Sequence, residues 1–132
     1  MAELRLKIVT PDREFYNDTI DMLVAKSELG EFAILKNHLP MVASLQISYL
    51  KIKKDGDFRF ATIAGGYMTM KDNEIVVISD AVEWREEIDK DRAIRAKEEA
   101  ERRLQEAKDS SSFDRAELEL KKAINRLNIK DL

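Results

Sequence analysis

The sequence has no cysteine, one histidine and two prolines. Without thiols there is no disulfide framework, no thiolate nucleophile and no cysteine-ligated zinc. A lone histidine is no evidence for a metal, and no nucleophile–base constellation is recognisable, so an enzyme is not the expected reading. No stretch approaches the roughly 18 apolar residues of a membrane-spanning helix. The opening Met-Ala-Glu-Leu-Arg lacks the apolar core of an export signal. The expectation is a soluble, cytosolic chain that meets a membrane through a partner. Charge of one sign is also lacking: 23 basic residues face 26 acidic ones, net −3. Nucleic-acid binding needs a cationic excess to displace counterions, so it is not expected. Glycine is scarce, with four in 132 residues, and the phosphate-cradling G-x-x-x-x-G-K-[ST] pattern is absent.

What is present changes partway along the chain. Residues 83–132 carry 27 of the 49 charged side chains, and 1–82 carry the other 22. The first part alternates with a period of two. Leu4, Leu6 and Ile8 alternate with Arg5 and Lys7; Tyr49–Lys53 and Phe58–Phe60 behave alike. Ile20–Ala25, Phe32–Leu35, Met41–Leu45 and Ile75–Ile78 are further short strand candidates. Thr10-Pro11-Asp12, Asp55-Gly56-Asp57 and Lys71-Asp72-Asn73 are turn signals, and Asp55-Gly56 between alternating runs predicts a hairpin. Gly65-Gly66 reads as a turn, or else as a bulge or a backbone angle that needs no Cβ. Eight or so short strands predict a β-sandwich or flattened barrel.

The second part is helical. From Ile88 to Lys108 there is no glycine or proline, and Ala, Glu, Arg and Lys dominate. Ala93, Ala96, Ala100, Leu104 and Ala107 form a narrow apolar stripe. Ser110-Ser111-Ser112 interrupts it, and Ser111 with Asp114 resembles a capping box. Ala116, Leu120, Ala123 and Leu127 form a second stripe. Two such helices with a short loop predict an antiparallel hairpin with a thin seam. The expected fold class is α+β, with a β-sandwich over 1–84 and a two-helix unit over 85–132. A thin, charged hairpin is either a solvated appendage or an element that can change partners.

This architecture and several local motifs resemble the epsilon-subunit family of bacterial F-type ATP synthases, nearly end to end. Ile8-Val9-Thr10-Pro11-Asp12 resembles the family's opening strand and turn. Gly30-Glu31-Phe32-Ala33-Ile34-Leu35 is similar to its "GELGIL" segment, departing at Phe32 and Ala33. Lys36-Asn37-His38-Leu39-Pro40-Met41-Val42-Ala43 resembles "PGHAPLVA", with Lys36-Asn37 in place of Pro-Gly. Ala64-Gly65-Gly66-Tyr67 looks like its "GGF" turn. Ile88-Asp89-Lys90-Asp91-Arg92-Ala93 fits the I/L-D-x-x-R-A pattern that opens the helical part. Their order and spacing together are more specific than any one motif.

The resemblance implies a non-catalytic rotor subunit, peripheral at the cytoplasmic face of the bacterial membrane, coupling ion translocation to rotation. Its sandwich would bind the gamma subunit and the ring of c subunits. Its hairpin, when extended, would reach the alpha and beta subunits and block hydrolysis. Glu31 and His38 flank the implied rotor-ring and gamma contact. No catalytic cofactor is implied, but ATP is implied as a regulatory ligand. Its candidate site is Glu83, Ile88, Asp89, Arg92 and Ala93, with Lys122 and Arg126 from the second helix. Asp89 and Glu83 would accept hydrogen bonds from the base or ribose. Arg92, Lys122 and Arg126 would meet the phosphates, and Ile88 and Ala93 would contact the base. Where many members carry another basic residue along the first helix, this chain has Glu98-Glu99. Asp89 is equally a good N-cap. The rival reading is a sandwich-plus-hairpin adaptor of another complex; a chloroplast version is a further variant of the first.

Overall fold

A computed structural model describes residues 3–132. The chain divides into two compact units, one ending at Trp84 and the other spanning Arg85–Leu132.

The first unit contains eight strands: β1 (Arg5–Val9), β2 (Glu14–Thr19), β3 (Met22–Ser27), β4 (Gly30–Leu35), β5 (Met41–Lys54), β6 (Asp57–Lys71), β7 (Glu74–Ile78) and β8 (Val82–Trp84). They are hydrogen-bonded in the order β2-β1-β7-β6-β5-β3-β4, with β8 also on β6. All pairs are antiparallel except β1 with β7. The alternation in the sequence sets which side chains are inward. Leu4, Leu6, Ile8, Leu23, Ile34, Leu50, Ile52, Ile63, Met68, Met70, Ile75 and Val77 are all within 2% of complete burial, and they form one continuous apolar core. At 1.5–3 kcal/mol for each such side chain, this core is what holds the sandwich. Trp84 joins it through Phe15 and Tyr16, whose rings lie 4.7 and 5.8 Å away, while the Arg59 guanidinium stacks 3.5 Å from its indole.

The turns follow local chemistry. Asp55 and Gly56 adopt φ of 51° and 86°, and Asp72 and Asn73 adopt 51° and 60°. Two consecutive left-handed residues make the tight turn whose twist suits a β-hairpin. Three expectations change. Met41–Leu45 and Tyr49–Lys53 are parts of one 14-residue strand, β5. β2 and β8 carried no sequence signal and are present. Gly65-Gly66 is not a turn; it lies inside the 15-residue β6. There β6 exchanges neighbours: Ala61–Ile63 pair with β8 and Tyr67–Lys71 with β7. Both glycines have positive φ, 79° and 139°, angles that residues with a Cβ rarely adopt.

The second unit opens with a 3-10 turn (Arg85–Glu87), followed by α1 (Lys90–Glu106) and α2 (Ser110–Lys130). Each helix begins at an aspartate. Asp89 accepts from the Arg92 backbone N–H at 3.1 Å, and Asp109 accepts from that of Ser112 at 2.7 Å. Asp109, not Ser111, is therefore the α2 cap; the serines form its first turn rather than a gap. These contacts to backbone and side chain of Ser112 hold the Asp109 carboxyl below its ordinary pKa. Ala93, Ala100, Ala116 and Ala123 are buried, and the two helices run antiparallel, with Lys90 beside Asp131 at 3.2 Å. Among the described residues no helix is long and apolar enough to cross a membrane.

Candidate functional site

Most of the proposed nucleotide residues belong to the open end of the hairpin. Ile88 and Ala93 are 3% and 4% exposed, so neither offers much surface to a base in this conformation. Asp89 caps α1, using one carboxylate oxygen on the Arg92 backbone. The Arg92 side chain is exposed at the first turn. Lys122 and Arg126 are half-buried on α2, and Lys122 lies 3.7 Å from Glu119. Because Lys90 meets Asp131, the two can be placed along the axis. Arg126 and Lys122 lie about 8 and 14 Å back from Asp131 at 1.5 Å per residue. The backbones of Arg92, Arg126 and Lys122 thus lie at successive levels along the hairpin. Glu83 belongs to the other unit. It sits half-buried in β8, paired with Thr62, whose hydroxyl donates to the Glu83 carbonyl at 3.4 Å.

A cleft of about 490 Å³ lies at the loop end of the hairpin, where Arg103, Lys108 and Arg115 meet Glu106, Asp109 and Glu119. None of the nominated residues lines it. Among the described residues no group of three or more potential metal ligands is present.

The second pair, Glu31 and His38, does not form one spot. They lie toward opposite ends of β4, whose run from Glu31 to Leu35 alone spans about 13 Å at 3.3 Å per residue. Glu31 accepts a hydrogen bond from the Tyr49 hydroxyl, and its carboxylate lies 3.9 Å from the Lys51 ammonium. Lys51 also sits 5.1 Å from the Tyr49 ring centre. The Glu31 contact, then burial, pushes the Tyr49 hydroxyl up to about 12. The phenol therefore stays protonated and fixes the carboxylate. Sequence reasoning missed Tyr49 and Lys51, because strand β3 separates β4 from β5 and nothing local links them.

His38 is exposed in the loop after β4, with its Nδ1 2.6 Å from the Leu39 carbonyl and its backbone N–H on Leu35 at 3.2 Å. The loop is held by a reciprocal pair. The Asn37 backbone donates to Asn73 Oδ1 at 2.6 Å, and Asn73 Nδ2 donates to Asn37 Oδ1 at 3.1 Å. Asn37 has φ 69°, a left-handed angle that Asn tolerates better than most residues. Leu35, Leu39 and Val42, near His38 in the chain, are large apolar residues at 55%, 78% and 77% exposure.

A β-sandwich followed by a charged two-helix unit defines a recognised class. The family described as ATP synthase delta/epsilon chain, beta-sandwich domain, matches residues 3–85. Its long alpha-helix domain matches residues 86–131. The chain belongs to the ATP synthase delta/epsilon chain family. Within it, the chain is similar to proteins named ATP synthase epsilon chain. That of Caldicellulosiruptor bescii is 44% identical over 98% of this chain and 94% of its own length. That of Bacillus velezensis is 39% identical over 98% of each. In shape it resembles a chain in the Euglena gracilis mitochondrial ATP synthase structure (OSCP/F1/c-ring, rotational state 1). The TM-score is 0.82 at 21% identity, over 95% of this chain and 79% of that one.

Proposed function

We propose that this chain is a non-catalytic rotor subunit in the central stalk of a proton- or sodium-translocating F-type ATP synthase, peripheral at the cytoplasmic face of the membrane. Its sandwich binds the gamma subunit and the c-subunit ring. The supporting observation is that the family's two domain models tile the chain in order, 3–85 and 86–131. The exposed apolar residues near His38 and the rigidly held Glu31 supply two separated contacts on one rigid unit. Gamma subunit immobilised on resin should capture the purified chain, and the variant with Leu39→Asp and Val42→Asp should be retained at least about tenfold less. A tenfold loss corresponds to about 1.4 kcal/mol of binding. Failure of gamma to capture the unmodified chain removes this reading.

The hairpin is the regulatory part. It exchanges between a closed form that ATP binds and an extended form that reaches the alpha and beta subunits and stops hydrolysis. A ligand selective for one form stabilises it by about 2.7 kcal/mol at 100 times its Kd, enough to reverse a closely balanced equilibrium. The thin alanine seam supports separable helices, and the exposure of Arg92 at the start of α1 supports a role for it in meeting a phosphate. Calorimetric titration of the isolated chain with ATP should give saturable heat, and Arg92→Ala should weaken binding at least about tenfold. Loss of one charged hydrogen-bonding group is worth about 1.5–3 kcal/mol. No heat, or equal binding by the variant, excludes ATP sensing through this residue.

A further inference from the structure

The two ends of the hairpin are secured differently. At one end α1 and α2 are joined covalently by residues 107–109. At the other, three polar contacts bridge segments 41 to 47 residues apart in sequence. Arg85 Nη1 donates to the backbone oxygen of Leu132 at 3.1 Å. Lys130 Nζ donates to the Arg85 carbonyl at 3.3 Å. Lys90 Nζ lies 3.2 Å from Asp131 Oδ1. Ile88 and Ile129, neighbours of these residues in the chain, are each 3% exposed.

We propose that these contacts form a latch across the open end, and that the hairpin unzips from the latch toward the loop. The physical argument is one of asymmetry. A seam built on alanine methyls gains little at each step along its length, so the end with the weaker constraint frays first. At the loop a three-residue connection keeps the helix ends together whether or not they touch. At the open end, holding α2 against the start of α1 falls to the latch and to the buried Ile88 and Ile129. Its cations are well placed, because Lys90 and Lys130 both lie at the negative end of the α2 dipole. Arg85 serves twice, donating through its guanidinium and accepting through its carbonyl. The 3-10 turn before α1 is therefore tied to the end of α2, and α2 cannot leave without releasing it. Two of the contacts are exposed and the third, from Lys130, is partly buried; exposed charged contacts are weak alone, so the latch opens readily. The use of the latch in regulation rests on the mobile-hairpin reading above; its existence does not.

The test is amide hydrogen exchange, read by mass spectrometry, on the full chain and on a charge-swap cycle. The cycle comprises Lys90→Asp, Asp131→Lys and the double exchange. Each single variant sets like charges against one another and should speed exchange at residues 88–94 and 126–131 about fivefold. Peptides spanning Ala100 to Ala116 should keep the parent rate. The double variant restores the opposite-sign pair and should return the open end to within about twofold of the parent. Salt at about 1 M should speed exchange at that end of the parent protein as well, by screening. Uniform acceleration along both helices, acceleration confined to the loop end, no acceleration, or a double variant no better than the singles would each overturn the latch. Capture by gamma is read in a separate assay on the sandwich, so the two proposals fail independently.

Discussion

Replacing Gly66 with alanine should lower the melting temperature of the sandwich by at least about 12 °C. Gly66 has φ +139°, and a Cβ built there falls 2.1 Å from the Ile78 carbonyl oxygen and 3.1 Å from the Ile78 carbonyl carbon and Ser79 Cα. All three obstacles are backbone, so no side-chain rotation relieves them. Left-handed strain alone costs about 1–3 kcal/mol, and the clash must displace β7 from β6 besides. A total of at least about 3 kcal/mol, at about 4 °C per kcal/mol for a unit of this size, gives the expected shift. Gly30→Ala is the control. Its φ is +120°, but nothing lies within 4 Å of the added Cβ, so strain acts there without a clash. Trp84, the chain's single tryptophan, reports sandwich unfolding by its fluorescence. Should the two variants melt together, the close approach at Gly66 contributes nothing and this account of the glycine is wrong.

Gly66 also illustrates where sequence reasoning stops. The pattern Leu4-Leu6-Ile8 revealed an alternating strand because its buried face is continuous along β1. Asp55-Gly56 revealed a hairpin because its backbone angles are a local property. By contrast, Ala64-Gly65-Gly66 broke the alternation of β6 and looked like a turn. The reason for those glycines, the exchange of β8 for β7 as neighbour, lies in residues well downstream. β2, Glu14-Phe15-Tyr16-Asn17-Asp18-Thr19, is an edge strand paired on one side only, so burial imposes little pattern on it. β8 is three residues long, too short to carry a period.

The candidate site divides in the same way. The N-cap role of Asp89 was legible because capping is a matter of four consecutive residues, here 89–92. Tyr49 was not, since its link to Glu31 reaches across β3. The alanine spacing announced the hairpin and its thinness together. What the spacing could not announce was the latch, whose partners come from opposite ends of a 48-residue unit. Local chemistry was therefore readable in proportion to how few residues it required, and long-range pairs were readable hardly at all.

The contrast between the two cores has a consequence for the hairpin. Ala123→Glu should open it while leaving the sandwich folded. The four buried alanine methyls contribute only about 3 kcal/mol together, at about 0.8 kcal/mol each. An unpaired ion costs several kcal/mol to bury after relaxation, and the larger side chain adds about 1–3 kcal/mol of overpacking. At Ala123, 1% exposed, the penalty therefore equals or exceeds what those methyls supply, and the buried Ile88 and Ile129 lie beyond the charge, at the open end. The helices should part rather than accommodate it. With many Lys and Arg in residues 85–132, trypsin is a sensitive probe. Cleavage within that segment should accelerate at least about tenfold, because proteolysis tracks the open population, while Trp84 fluorescence and the sandwich melting temperature stay put. Asn128→Glu, the same charge at an exposed position of α2, should cleave at close to the parent rate. Equal protection of Ala123→Glu and the parent would mean that something stronger than the alanine seam holds these helices together, and the separable hairpin would have to be abandoned.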